Sequence, residues 1–298
     1  MPSIVSGKDY LLLPRAPDTW VVEPLIPAGG ACLIYGDAKV GKSFAAIQLA
    51  LAIEQGSDWL GFPTRTRGRV VYVQLDTPRS LWATRLAAIR ESEPAVDSLM
   101  CADRETLDTF PYDILNPQHA DLLTVALREI EPIAVVIDTV RESHSGDEND
   151  STIMRNVVSK LVAITEPAAL IIVAHSRKSV GDQGSDLIAD NRGSNYVVGR
   201  MDSIIRFTRK TAHFTGRAIE EGTIRIHRED NGLWAVVNDE LDHHIESILS
   251  DPTLETTRSR AQALAIRTGK SEDAARSILR RHALNPPSST HTSRDREQ

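Results

Sequence analysis

The sequence predicts an α/β protein in which a doubly wound, mainly parallel sheet carries antiparallel strands at one edge and is followed by a small helical domain. Three observations predict it. Short β-branched runs alternate with stretches of helical spacing from Ala31 to Val173. A glycine-bounded turn joins the first of these runs to the first helix, where a parallel βαβ unit needs a connection. After Gly193, β-rich stretches are separated by Gly216, Gly222 and the Asn231-Gly232 turn, the punctuation of antiparallel hairpins.

Taken in order, residues 1–28 hold several prolines and no sustained periodicity, which predicts an irregular N-terminal segment closed by Pro27, Gly29 and Gly30. The alternation then predicts strands over 31–35, 70–73, 133–137 and 170–173. Between them, helices are expected over 43–54, 81–89, 121–130 and 153–164. Strands over 203–208, 223–227 and 233–237 form the antiparallel extension, and helices over 241–249, 258–267 and 271–283 follow. The domain boundaries that result are 1–28 for the N-terminal segment, 29–238 for the core, 239–285 for the helical domain and 286–298 for a polar, disordered tail.

Composition narrows the class. Of 298 residues, 41% are hydrophobic and 25% charged, as in globular proteins, and no apolar run approaches the roughly 18 residues that span a bilayer. No membrane segment is expected. The first residues lack the pattern of a secretory signal, which predicts a cytoplasmic protein. Two cysteines, Cys32 and Cys101, lie too far apart in sequence to suggest a disulfide framework or a zinc site, and both are expected as buried, reduced thiols. A net charge of −7 argues against a surface that grips nucleic acid all over, so basic patches must be sought segment by segment.

The chemistry is concentrated in Gly36, Asp37, Ala38, Lys39, Val40, Gly41, Lys42 and Ser43, with Phe44 next. This run fits G-x-x-x-x-G-K-[ST] and sits between a strand and a helix, the context the motif requires. Glycine permits backbone geometry in which successive N–H groups and a positive helix end surround phosphates. Lys42 is expected to neutralise the β and γ oxygens of ATP, and Ser43 to hold Mg²⁺. Three polar residues follow predicted parallel strands: Asp76, Asp138 and His175. All should reach one sheet edge, since ligands of open α/β sheets bind beyond the carboxyl ends of the strands. Asp138 is expected to orient Mg²⁺. Asp76 either aligns the attacking water or belongs to a structural Asp76-Thr77-Pro78 turn; Gln74 is a weaker polar candidate on the same strand, and His175 a candidate γ-phosphate contact.

In these pieces the stretch from about Trp20 to Val237 resembles the RecA-like P-loop ATPases of the RepA-type hexameric helicase group, found in plasmids and phages. The resemblance rests on LIPAGGACLIYGDAKVGKS, VVYVQLDTP followed by RSLWATRL, VVIDTV with SGDEND, VAHSRK, and RGSNYVVGRMDS, in that order. It implies a RecA-like core, ATP held between neighbouring subunits of a homo-oligomeric ring, and Asp76, Asp138 and His175 as catalytic acid, Mg²⁺ acid and γ-phosphate sensor. It also implies an arginine finger in trans at Arg206, with Arg192 and Arg228 as alternatives. Such proteins usually carry Glu where this chain has Asp76, one methylene shorter.

Three further features stay open. Residues 176–191, with Lys178 and both signs of charge, read either as a loop facing single-stranded DNA or as a plain lid. His144, Asp147, Glu148 and Asp150 read either as a nuclease metal site or as a solvated stretch before a helix capped by Asp150 or Ser151. Between Glu255 and Ala283 the basic residues Arg258, Arg260, Arg267, Lys270, Arg276, Arg280 and Arg281 outnumber the acids, on two helices at helix-turn-helix spacing. That domain reads as a duplex-DNA module or as a helical packing lid. The function expected is a ring-forming, DNA-associated ATPase: a helicase or translocase of phage or plasmid replication or recombination. The alternatives are an ATP-gated loader, recombination mediator or DNA-binding regulator without motor activity, and, more weakly, an ATP-linked, metal-dependent nuclease.

Overall fold

A computed structural model describes residues 4–12, 20–107, 112–148, 150–176, 195–237, 244–245, 247–254, 256–268 and 271–284. Lys178, Arg192, the tail 286–298 and the turn residues Gly269 and Lys270 lie outside the described residues, as does the side chain of Arg281.

The chain opens with a short helix, α1 (Gly7–Leu11), and a two-stranded antiparallel pair, β1 (Trp20–Val22) and β2 (Ile26–Pro27). The core alternates strictly: β3 (Ala31–Gly36), α2 (Lys42–Gln55), β4 (Val70–Gln74), α3 (Arg79–Arg90), β5 (Met100–Asp103), α4 (Pro117–Ile130), β6 (Ala134–Asp138), α5 (Ser151–Thr165), β7 (Ala169–His175), α6 (Asn195–Arg200) and β8 (Ser203–Phe207). Three strands complete it: β9 (Thr211–Gly216), β10 (Gly222–Arg228) and β11 (Trp234–Val236). The nine-stranded sheet has the order β11-β10-β9-β8-β3-β7-β6-β4-β5. Every pair from β8 to β5 is parallel and every pair from β8 to β11 antiparallel, the extension expected on one edge.

Both faces of the parallel region are covered, which is why its strands read as continuous apolar runs rather than as alternations. On one face Cys32, Ile34, Tyr72, Val136 and Ile171 pack with α2 and with Trp82 and Ile89 of α3. On the other, Leu33, Tyr35, Val73, Val135 and Ile172 pack against α4 and α5. The helices differ accordingly. In α4 only Ala120, Leu123 and Leu127 are buried, a single stripe behind an Asn116 cap that accepts from Gln118 N at 2.9 Å. In α2 the buried residues include Ala45, Ala46, Ile47, Leu49, Ala50, Leu51, Ala52 and Ile53, because the sheet lies on one side and Trp59 and Trp234 on another. Asp150 caps α5, accepting from Thr152 N and Ile153 N.

Several expectations need correction. The stretch preceding Gly29 is not wholly irregular: Val21, Val22, Leu25 and Ile26 are buried in the same core as α2. Their period is too short to register as an element, and burial comes from the rest of the fold. Strands β5 and β9 are additions to the expected set; β5 has four residues and β9 is mostly polar, so partners rather than propensity make them strands. Cys32 is buried but Cys101, on the edge strand β5, is exposed. The C-terminal helices span Thr257–Thr268 and Glu272–Leu284 and have a small core of their own, with Ile245, Ile248, Ala261, Leu264, Ala275 and Leu279. Among the described residues no helix is long and apolar enough to cross a membrane.

Leu25→Ala should lower the unfolding free energy by about 2–5 kcal/mol in urea titration, the usual cost of emptying a core leucine site. Leu12→Ala, at a position 76% exposed, should change it by less than about 0.5 kcal/mol.

Candidate nucleotide site

The strands converge on one edge by register. Gly36 at the end of β3 stands beside His175 of β7, and Gln74 of β4 beside Asp138 of β6. Alternation then sorts the side chains. Val136 of β6, Tyr72 of β4 and Val173 of β7 face α2, so Asp138, Gln74 and His175, each two residues further on, point to that face as well. Arg206 has the opposite parity, between Ile205 and Phe207, and lies on the other face of β8, half-buried.

The loop from Gly36 to Gly41 is shaped by two close approaches. A Cβ on Gly36, whose φ is 154°, would meet the Phe207 carbonyl oxygen at 2.2 Å. Gly41, at φ 95°, caps α2 in the left-handed region, and its Cβ would strike the Trp234 ring at 2.8 Å. Trp234 donates its indole N–H to Gly41 O at 3.2 Å, while Gln48 of α2 bonds both Trp234 N and Trp234 O, at 3.0 and 2.8 Å. The last strand of the antiparallel extension thus buttresses the phosphate loop. Asp37, Ala38 and Lys39 stay exposed at its tip, and Val40 is buried. Ser176 holds Asp37 through its hydroxyl and Gly36 O through its N–H, the latter at 2.9 Å.

Lys42 is 4% exposed and its ammonium donates to Gly36 O at 2.9 Å and to Asp37 O at 2.8 Å, with His175 Nδ1 at 3.1 Å. Burial draws its pKa down to about 8, against the opposing pull of Asp138, Asp37 and Asp76. Burial and the neighbouring Lys42 charge lower the pKa of His175, so the neutral imidazole accepts from the ammonium.

Asp138 is 2% exposed. Its Oδ2 accepts from the Tyr72 hydroxyl at 2.7 Å, while Oδ1 is buried without a hydrogen-bond partner. Burial raises its pKa; the hydroxyls of Tyr72 and Ser43 and the charge of Lys42 pull the other way, and Asp76 adds to the rise. Burial likewise lifts the Tyr72 phenol well above its usual value, so it stays a donor. An orphaned carboxylate oxygen beside a serine hydroxyl is a hard oxygen donor set that fits Mg²⁺. Asp76 is exposed, two residues past the end of β4. Gln74, 2% exposed, bonds Thr77 O through its amide nitrogen and accepts Thr77 N at 3.1 Å, so it shapes the turn that presents Asp76.

Sequence reasoning missed Tyr72 and Trp234. The signal available for Tyr72 is a phenol in an apolar strand, since a buried hydroxyl needs a partner. Phe44 is half-buried, with the Arg228 guanidinium 4.0 Å and that of Arg85 5.7 Å from its ring centroid. Arg228, an alternative for a trans finger, also donates to Gly232 O at 3.0 Å within its own chain. The His144 group is not a solvated stretch throughout: His144 is 3% exposed, its ring nitrogens without partners, while Asp150 is spent as a cap and Glu148 lies 3.6 Å from Arg141. Among the described residues no group of three or more His, Cys, Asp or Glu side chains is arranged to hold a metal. Arg276 and Arg280 are exposed one helical turn apart on Glu272–Leu284, whose N-terminus is capped by Ser271 Oγ accepting from Ala274 N at 3.3 Å.

The family of the AAA domain matches residues 6–181. Among solved structures, the ATPase domain of a phage helicase superposes with a TM-score of 0.55 at 12% identity, over 71% of this chain and 86% of that one. A KaiC-like protein from the hyperthermophilic archaeon Pyrococcus horikoshii OT3 gives a TM-score of 0.45 at 14% identity, over 73% and 94%. At 12% identity the likeness to the helicase ATPase domain is one of fold, and it makes the doubly wound sheet RecA-like. With the match spanning more than half of its residues, the chain belongs to the AAA domain family and is a P-loop ATPase.

Proposed function

We propose that this chain is a DNA-associated motor that hydrolyses Mg²⁺-ATP at the interfaces of a homo-oligomeric ring, a hexameric helicase or translocase. The observation that carries the ATP chemistry is the meeting of Lys42, Ser43, Asp138 and His175 on the α2 face of one sheet edge. Phosphates lie at the N-terminus of α2, where the N–H groups of the loop and of Lys42, Ser43 and Phe44 are donors without helical partners. Lys42 neutralises the terminal phosphates. Ser43 and Asp138 Oδ1 hold Mg²⁺, which shields the phosphate charge. Asp76 aligns the attacking water from its turn, and His175, already bonded to Lys42, contacts the γ-phosphate. Arg206 faces away from α2 in its own chain, which suits a finger directed at a neighbouring subunit.

The ring and the DNA rest on the resemblance to RepA-type helicases and on the fold shared with the helicase ATPase domain. Single-stranded DNA is the partner assigned to the core, through the loop that holds Lys178. Duplex DNA is assigned to the helical domain, through Arg276, Arg280 and Arg281. One observation favours a second reading, an ATP-dependent loader or clamp: the catalytic acid is an exposed Asp, shorter than the Glu of the resembling group.

ATP turnover by protein sized by light scattering should rise several-fold with single-stranded DNA and vanish in Lys42→Ala; turnover indifferent to DNA defeats the motor reading. Asp76→Asn should lower kcat by about 10²–10³-fold while leaving ATP affinity within about threefold. Equal loss of both would make Asp76 a binding or structural residue. ATP binding must also depend on pH. Lys42 is protonated below about 8 and loses its proton above it, whereas bound phosphates restore its pKa, so binding above pH 8 takes up a proton. Affinity should fall by up to about tenfold per pH unit from pH 8 upward. Calorimetry in buffers of different ionisation heat will show whether that proton is taken up.

A further inference from the structure

We propose that Tyr72 is a positioning residue for the cation site: its hydroxyl engages Asp138 Oδ2 and so leaves Oδ1 as the oxygen turned to Mg²⁺. The inference rests on the reading of Asp138 and Ser43 as the groups that hold the cation.

The geometry is specific. Tyr72 is fully buried and stands beside Val136, two residues before Asp138 on the face that α2 covers. Two residues of strand span about 6.6 Å, a distance a phenol bridges and a shorter side chain does not. The ring is held against Trp82, centroids 4.9 Å apart, and the hydroxyl reaches Asp138 Oδ2 at 2.7 Å. Its other oxygen neighbour, Ser43 O, is at 3.4 Å, so the bond to Asp138 is the stronger. A carboxylate has two equivalent oxygens and turns about its terminal torsion over a broad range. Tyr72 removes that equivalence. Without it Asp138 is free to rotate toward Lys42, the nearest cation acting on it, and to present no defined oxygen beside Ser43. Groups that orient a metal ligand in this way typically change metal affinity by about 10–100-fold.

Tyr72→Phe keeps the ring and its stack with Trp82 and removes only the donor. On the full chain, affinity for a fluorescent ATP analogue is measured in EDTA and across a Mg²⁺ titration, and Mn²⁺ binding in the presence of ADP is followed by electron paramagnetic resonance. The variant should bind nucleotide in EDTA within about twofold of wild type, while the cation concentration for half-saturation rises about tenfold. Asp138→Asn separates the two layers of the reading. If it leaves the Mg²⁺ dependence intact, the assignment of Asp138 fails and the role of Tyr72 with it. If Asp138→Asn abolishes the dependence but Tyr72→Phe leaves it unchanged, only the role of Tyr72 is overturned. Equal weakening of nucleotide binding with and without cation, or a chain that no longer folds, assigns Tyr72 to packing and overturns the proposal. In the Asp138→Asn background, adding Tyr72→Phe should change cation binding by less than about twofold; additive losses overturn it as well.

Discussion

A buried ammonium must be met by acceptors, and Lys42 meets that demand by reaching back across the loop that precedes it, to Gly36 O, Asp37 O and His175. The ammonium therefore ties the end of β3, the loop and the end of β7 into one unit. Each acceptor is at its post for a backbone reason. The carbonyls belong to a loop that only glycine can begin, because Phe207 O crowds the place of any Cβ at Gly36. His175 arrives because β7 runs alongside β3 in register, Gly36 beside His175. The remaining site groups are arranged around that unit, and their charges are defined by it.

The antiparallel extension has a part in this that its position at the sheet edge conceals. Four strands in succession carry the chain from β8, next to β3, out to β11, where Trp234 returns to the phosphate loop. Gln48 treats β11 as a strand treats its neighbour, offering one donor and one acceptor to the same residue. A loop rich in exposed residues would otherwise lack any packing on that flank. Here an indole fills the place of the missing Gly41 side chain, so the loop keeps its shape through packing as well as through hydrogen bonds.

What was legible in the residues follows from this architecture. Strands buried on both faces, such as 133–137 and 170–173, are apolar runs that local pattern reveals, and Asp138 and His175 could be placed at one edge from the parity of those runs alone. The phosphate loop was legible because its glycines and lysine answer to local geometry. Elements defined by their partners were not. Strand β5 has four residues on an edge, and β1 and β2 together have five, too few for a period to show. Tyr72 was hidden in the run VVYV because its ring behaves as an apolar residue and only its last atom is functional. His144 reads as solvated among acids, yet the turn Val140–Ser143 tucks it inside. Charge in the sequence neighbourhood does not report where a side chain points.

The site holds two charges of opposite sign, each disfavoured by its surroundings. Burial lowers the pKa of Lys42 and raises that of Asp138, so each ionised form is costly on its own. The two do not cancel directly, for Lys42 is bonded to carbonyls and His175, and Asp138 to Tyr72. A free nucleotide would satisfy the lysine and leave the carboxylate; a free cation would do the reverse. Only a ligand that brings both phosphates and a divalent cation relieves both groups at once. That shared relief is a physical reason for nucleotide and cation to bind together, and it needs the carboxylate to present one defined oxygen and the histidine to stay neutral. A charged His175 would compete with the cation for the same phosphates and repel Lys42, and its lowered pKa keeps it out of that role.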